Sequence, residues 1–72
     1  MSNIIKLRYL KDGKPAGRPY TYFSENPVTI SDVVQVNEHA KGLVVDIDVP
    51  EEEIADIRHL VKYIQGRTED IL

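Results

Sequence analysis

Hydrophobic and polar residues alternate in several short stretches of this chain, and the alternation predicts strands. Asn3 to Leu10 reads NIIKLRYL, with Ile5, Leu7 and Tyr9 alternating against Lys6 and Arg8, the period-two pattern of a half-buried strand. Asp12 to Gly17 (DGKPAG) is a turn cluster whose Asp-Gly pair is a strong hairpin signal. Arg18 to Phe23 (RPYTYF) is rich in aromatic and threonine residues and suits a second strand, antiparallel to the first. After the break at Ser24-Glu25-Asn26-Pro27, Val33 to Val36 reads as a short third strand with Val34 and Val36 on one face. A turn over Asn37 to Gly42, with Gly42 available for positive φ, leads into Leu43 to Val49 (LVVDIDV). There Val45, Ile47 and Val49 face one way, and Asp46 and Asp48 the other. Val34, Val36, Val45 and Ile47 are therefore the expected core.

The last third of the chain is open to two readings. Pro50-Glu51-Glu52-Glu53 is a helix start, because proline suits the first turn and carboxylates suit the positive end of the macrodipole. Ile54, Ile57, Val61 and Ile64 fit a helical stripe that stops at Gly66. Alternatively a short helix near Glu51 to Ile57 ends early, and Leu60 to Gln65 (LVKYIQ) is a fifth strand. The first reading gives an α+β fold, a four-stranded antiparallel sheet with a C-terminal helix. The second gives a mainly β fold, a small five-stranded barrel with one short helix.

The chain has 72 residues, enough for a single domain with a thin core, and residues 67–72 read as a flexible tail. There is no cysteine, so disulfides, thiolate zinc sites and cysteine nucleophiles are excluded. No apolar run approaches the roughly 20 residues of a membrane helix, and Met1 to Lys6 has no signal-peptide character. The cytoplasm is the default expectation. The net charge of −3 is unevenly spread. Lys6, Arg8, Lys11, Lys14 and Arg18 stand against Asp12 before Phe23, whereas residues 23–56 carry nine carboxylates and only Lys41. Such a dipole steers charged partners and favours weak self-association.

No catalytic, cofactor or metal site is expected. His39 lies in a predicted turn and His59, twenty positions on, between the acidic turn and the last segment, without metal-ligand spacing to Asp46 or Asp48. Ser24 and Ser31 lack the flanking glycines of a nucleophile elbow. Glu51, Glu52 and Glu53 are adjacent and diverge on a helix, so with Asp56 they read as a solvated helix start. The best candidate surface is the first hairpin. Lys6, Arg8, Lys14, Arg18, Tyr20 and Tyr22 interleave cations with rings, as single-stranded nucleic acid binding requires. Tyr9, Phe23 and the other alternating rings are also core candidates, and the overall acidity weighs against phosphate. A continuous basic patch would favour nucleic acid, and acidic side chains interrupting it would favour a protein partner.

Residues 20–65 resemble a small SH3-like barrel, on the order Tyr20-Thr21-Tyr22, Ser31-Asp32-Val33-Val34-Gln35-Val36, Gly42-Leu43-Val44-Val45 and Val61-Lys62-Tyr63-Ile64. This order is similar to the N-terminal DNA-end-binding domain of the primosomal helicase and to small phage and mobile-element proteins. Ser31 stands where that pattern has glycine, and Thr21 where the helicase domain has an aspartate that helps hold a DNA end. The turn over Asn37 to Lys41 lacks the basic run found there. The resemblance thus implies the barrel, with Leu60 to Gln65 as a strand, rather than DNA-end binding. The function it implies is a non-enzymatic binding module of a phage-like or mobile genetic element. The expected partner is a protein, somewhat ahead of nucleic acid bound through the basic hairpin.

Overall fold

The structure, a computed structural model, describes residues 3–68. It is mainly β, with five strands in one sheet. They are β1 (Asn3–Lys11), β2 (Lys14–Ser24), β3 (Val33–Asn37), β4 (Ala40–Asp46) and β5 (Gly66–Arg67). The sheet order is β2-β1-β4-β3-β5, and every neighbouring pair is antiparallel. The short helix expected near Glu51 to Ile57 is a 3-10 turn at Glu51–Ile54, followed by a second at Arg58–Leu60. No long helix runs to Ile64, so the α+β reading does not hold.

The first hairpin turns on Asp12 and Gly13 alone, with φ of 53° and 78°. Both central residues of a tight two-residue turn need positive φ, and Asp-Gly supplies them at low cost. β2 therefore begins at Lys14, earlier than its aromatic run suggests. Lys14, Pro15 and Ala16 pair with Lys11, Leu10 and Tyr9. An irregularity over Gly17 to Pro19 then shifts the register so that Tyr20 lies opposite Leu7. Gly17 takes φ of 74° there, and its carbonyl accepts a hydrogen bond from Arg8 Nε at 3.0 Å. In the second hairpin, Asn37 Oδ1 accepts the His39 N–H at 2.8 Å, an Asx turn that closes the link to Ala40.

The connection from β2 to β3 is held by local bonds. The buried Ser24 hydroxyl donates to the Asn26 carbonyl at 2.6 Å. Asp32 accepts the Thr29 N–H through Oδ2 at 2.8 Å. That bond first, then the Thr29 side chain and last the charge of Arg67, hold the Asp32 carboxyl below the usual carboxylate range. Ser31 adopts φ of 80°, a conformation that favours glycine, and its N–H bonds the Val44 carbonyl at 2.8 Å.

One stretch of chain joins the two edges of the sheet. The Phe23 N–H donates to Lys62 O at 2.8 Å, and the Ile64 N–H donates to Phe23 O at 2.9 Å, a parallel bridge to β2. One residue later the Gln65 N–H donates to Gln35 O at 2.8 Å, and Gly66 and Arg67 pair with Gln35 and Val34 of β3. Residues 62–67 thus close the sheet on itself. The fifth strand expected over Leu60 to Gln65 is shifted: Leu60 ends a 3-10 turn, Tyr63 makes the bridge, and the paired strand is Gly66–Arg67. Arg67, expected to open a tail, lies in the sheet, and residues 69–72 are outside the described residues.

Two apolar clusters hold the fold. Inside the sheet, Ile5, Leu7, Val28, Val34, Val36, Val44 and Ile64 are buried together. On the opposite side of the first hairpin, Ile4 and Phe23 are covered by Val49, Ile54 and the half-buried Val61. The alternation of β1 explains the division, since Ile5 and Leu7 point one way and Ile4 the other. Val34 and Val36 are buried as expected. Val45 and Ile47 are only half-buried, and the inward residues of β4 are Gly42 and Val44. LVVDIDV fits two registers one residue apart, and a one-residue slip exchanges the faces. Packing selects the register: Gly42 is not in positive φ but lies under Leu7, where an added Cβ would come within 2.7 Å of Leu7 Cδ1. Beyond Asp46 the strand ends. The Asp46 carboxylate accepts the Ile47 N–H at 2.9 Å and Asp48 takes φ of 52°, which sends Val49 to the second cluster.

Candidate binding surface

The sheet divides the six residues of the candidate face between its two sides. Directly opposed residues of an antiparallel pair share a face. Tyr20 lies opposite Leu7 and Tyr22 opposite Ile5, so both rings belong to the inner side. Lys6 lies opposite Thr21 and Arg8 opposite Leu43, on the outer side. Lys6 Nζ is 3.1 Å from Glu53 Oε2, so a carboxylate from the first 3-10 turn sits within the basic array. Arg8 is tied to Gly17 as described. Lys14 is exposed at the far end of the hairpin, and Arg18 is exposed on the irregular segment of β2.

Tyr9, Tyr20 and Tyr22 form a ring cluster at one end of the sheet interior. Tyr9 meets Tyr20 edge-on with centroids 5.4 Å apart and Tyr22 edge-on at 6.4 Å. The hydroxyls of Tyr9 and Tyr22 are hydrogen-bonded to each other. Burial, and then this bond and the neighbouring hydroxyls, push Tyr22 up to about 12. Tyr22 is therefore a structural ring, whereas Tyr20 keeps 47% of its surface exposed.

Beside Tyr20 lies a cleft between β2 and the segment from Ile57 to Lys62. One part, of about 350 Å³, is lined by Arg18, Pro19, Tyr20, Thr21, Ile57, Leu60 and Val61. The adjoining part, of about 290 Å³, shares Tyr20, Thr21 and Leu60 and adds Tyr22 and Lys62. Its apolar walls are unusually bare for so small a domain: Leu60 is 65% exposed and Ile57 44%. Below the cleft Phe23 is fixed between Tyr63, with ring centroids 5.1 Å apart, and the Arg58 guanidinium, 5.1 Å from the ring centre. Arg58 in turn pairs with Glu51 at 2.6 Å. The cleft wall is thus anchored to the second cluster.

Ile57, Leu60 and Lys62 were not candidates on sequence grounds. An apolar residue in a short periodic stretch reads first as core, and only the 3-10 turn at Arg58–Leu60 turns Leu60 outward. The discarded chemistry stays dispersed. His39 and His59 are exposed in separate turns, and among the described residues no three His, Asp or Glu side chains gather as a metal site. Ser24 and Ser31 serve the β2–β3 connection. Glu51 and Glu53 are engaged by Arg58 and Lys6. No helix of the described residues is long and apolar enough to cross a membrane. Comparison with protein-family models, curated proteins and solved structures gave no match.

Proposed function

We propose that this domain is a non-enzymatic binding module that docks another protein in the cleft between β2 and residues 57–62. The observation that carries the reading is the exposed apolar wall of Leu60 and Ile57 facing the edge of β2 across Tyr20 and Thr21. Exposed apolar surface rimmed by polar groups marks interaction sites on small proteins. The carboxylate of Glu53 on Lys6, and the separation of Lys6 and Arg8 from Tyr20 and Tyr22, support a protein partner over nucleic acid. The resemblance to small barrels of phages and mobile elements supports a binding role in that setting.

The test is selection of displayed random decapeptides on the full chain, with counter-selection on Leu60→Asp. Leu60 is largely exposed, so this variant should keep the fold, as circular dichroism can verify. Peptides that bind the wild type and lose the variant are the expected outcome. Enriched peptides indifferent to Leu60→Asp, or no enrichment at all, would overturn the reading.

A further inference from the structure

We infer that the occupant of this cleft is an acidic segment of a partner protein, laid in extended form along the open edge of β2; the inference rests on the binding-module reading above. Three features of the cleft converge on it. The first is main-chain chemistry. Phe23 turns its N–H and C=O away from β1, toward Lys62 and Ile64. Main-chain groups of alternate strand residues point to the same side, so the N–H and C=O of Thr21 project from that same edge. At Thr21 no strand continues the bridge, because the chain before Lys62 departs into the 3-10 turn at Arg58–Leu60. Thr21, the alternate position next to Phe23, lines the cleft and turns its N–H and C=O into it. An edge of this kind accepts an added strand, which hydrogen-bonds through its own backbone.

The second feature is charge. Arg18 and Lys62 line the cleft at its two parts, and none of its lining residues is a carboxylate. Neither cation takes part in the ion pairs of Lys6, Arg58 and Arg67. On a chain of net charge −3, a cleft carrying only positive charge selects for an anionic partner. The third feature is apolar. Leu60, Ile57 and Pro19 give a side-chain slot beside the edge. A segment of about five residues, at roughly 3.3 Å each, spans Arg18 to Tyr22. It would place an apolar side chain against Leu60 and carboxylates toward Arg18 and Lys62.

A single nucleic-acid strand is also anionic and would stack on Tyr20. It offers no backbone N–H and C=O to match Thr21, and no apolar side chain to fill the slot beside Leu60. The acidic peptide satisfies all three features.

The experiment repeats the decapeptide selection on the wild-type chain and on Arg18→Glu/Lys62→Glu. Synthetic peptides from each pool, and an oligothymidine, are then titrated while amide shifts are followed. Wild-type peptides should be enriched in Asp and Glu and should shift the amides of Thr21, Leu60 and Lys62. They should bind the charge-reversed chain about tenfold more weakly, and that chain should select Lys- and Arg-rich peptides instead. Peptides that shift the same amides but are neutral, and are unaffected by charge reversal, would overturn the inference and leave the binding-module reading standing. Peptides that shift amides elsewhere would overturn both. Oligothymidine shifting these amides at concentrations where the peptides do not would overturn both in favour of nucleic acid.

Discussion

The two apolar clusters on either side of the first hairpin are built from different kinds of chain. The inner one is made largely from strands: Ile5, Leu7, Val34, Val36 and Val44 come from β1, β3 and β4. The outer one takes Ile4 and Phe23 from the hairpin but Val49, Ile54 and Val61 from loops and a 3-10 turn. Regular ladders tie the inner residues to one another. The outer lid hangs on a few bonds, among them the Val49 N–H to Ile4 O at 3.1 Å and the bridge at Phe23. The difference separates what makes the domain fold from what shapes its surface, since the cleft wall from Ile57 to Lys62 belongs to the outer lid.

The largest expected effect tests the inner cluster. Leu7→Ala removes a fully buried side chain at its centre and should cost about 4 kcal/mol. Against a total stability of roughly 5 kcal/mol for a domain this small, the variant should be largely unfolded in urea titrations. A cooperative transition at an unchanged midpoint would show that the inner cluster is not the main support.

Ile54→Ala makes the same cut in the outer lid, where Ile54 keeps 2% exposure. It should cost about 2 kcal/mol, at the low end for such truncations, because the lid can collapse onto the gap. Hydrogen exchange should quicken at the bridge amides Phe23 and Ile64 and at Val49, while β3 and β4 stay protected. Uniform loss of protection would mean that the two clusters form one cooperative unit.

A third test is set by pH. The folded chain holds the Tyr22 proton more tightly than the usual tyrosine value of 10.0, with Tyr22 pushed up to about 12. The contribution is therefore fully present below pH about 10 and is lost as pH rises toward 12, where the unfolded chain releases the proton and the folded one keeps it. The ultraviolet titration difference between wild type and Tyr22→Phe should show one phenol ionising near pH 12, and Tyr22→Phe should flatten the fall in stability over that window. A difference curve centred at the usual tyrosine value of 10.0 would break the assignment of Tyr22 to the inner side.

The smallest effect lies on the surface between the clusters. Lys6→Gln breaks a partly exposed ion pair with Glu53 and should cost less than about 1 kcal/mol, diminishing in high salt. A larger, salt-independent loss in thermal melts would show that the Lys6 stem packs the lid against the sheet.

Much of the fold was legible because it is local. Asp12-Gly13 can hardly be anything but a tight turn, and the alternation of β1 and β3 places Ile5, Leu7, Val34 and Val36 inward without knowledge of their neighbours. The left-handed backbone of Ser31, by contrast, was not legible, because serine does not announce it. The cations and rings of the first hairpin were visible, and Arg18 and Tyr20 do line the cleft. Their grouping with Lys6 and Arg8 was not a single surface, because alternate residues on paired strands fall on opposite faces.

By itself, then, the order of residues determined the strands of the first two thirds of the chain, their hairpins and the inward residues of β1 and β3. Tertiary structure decided the rest, because those choices are degenerate locally. LVVDIDV supports either register, and the contact of Leu7 with the bare backbone of Gly42 settles it in favour of Val44. The stretch from Ile54 to Ile64 has helical periodicity, yet closing the sheet needs main-chain bonds from Lys62 and Ile64 to Phe23 and from Gln65 to Gln35. A long helix would have used those groups internally and left the edges of β2 and β3 unpaired. The same closure turns Leu60 out toward solvent, so the cleft is a product of the fold's last connection rather than of any motif.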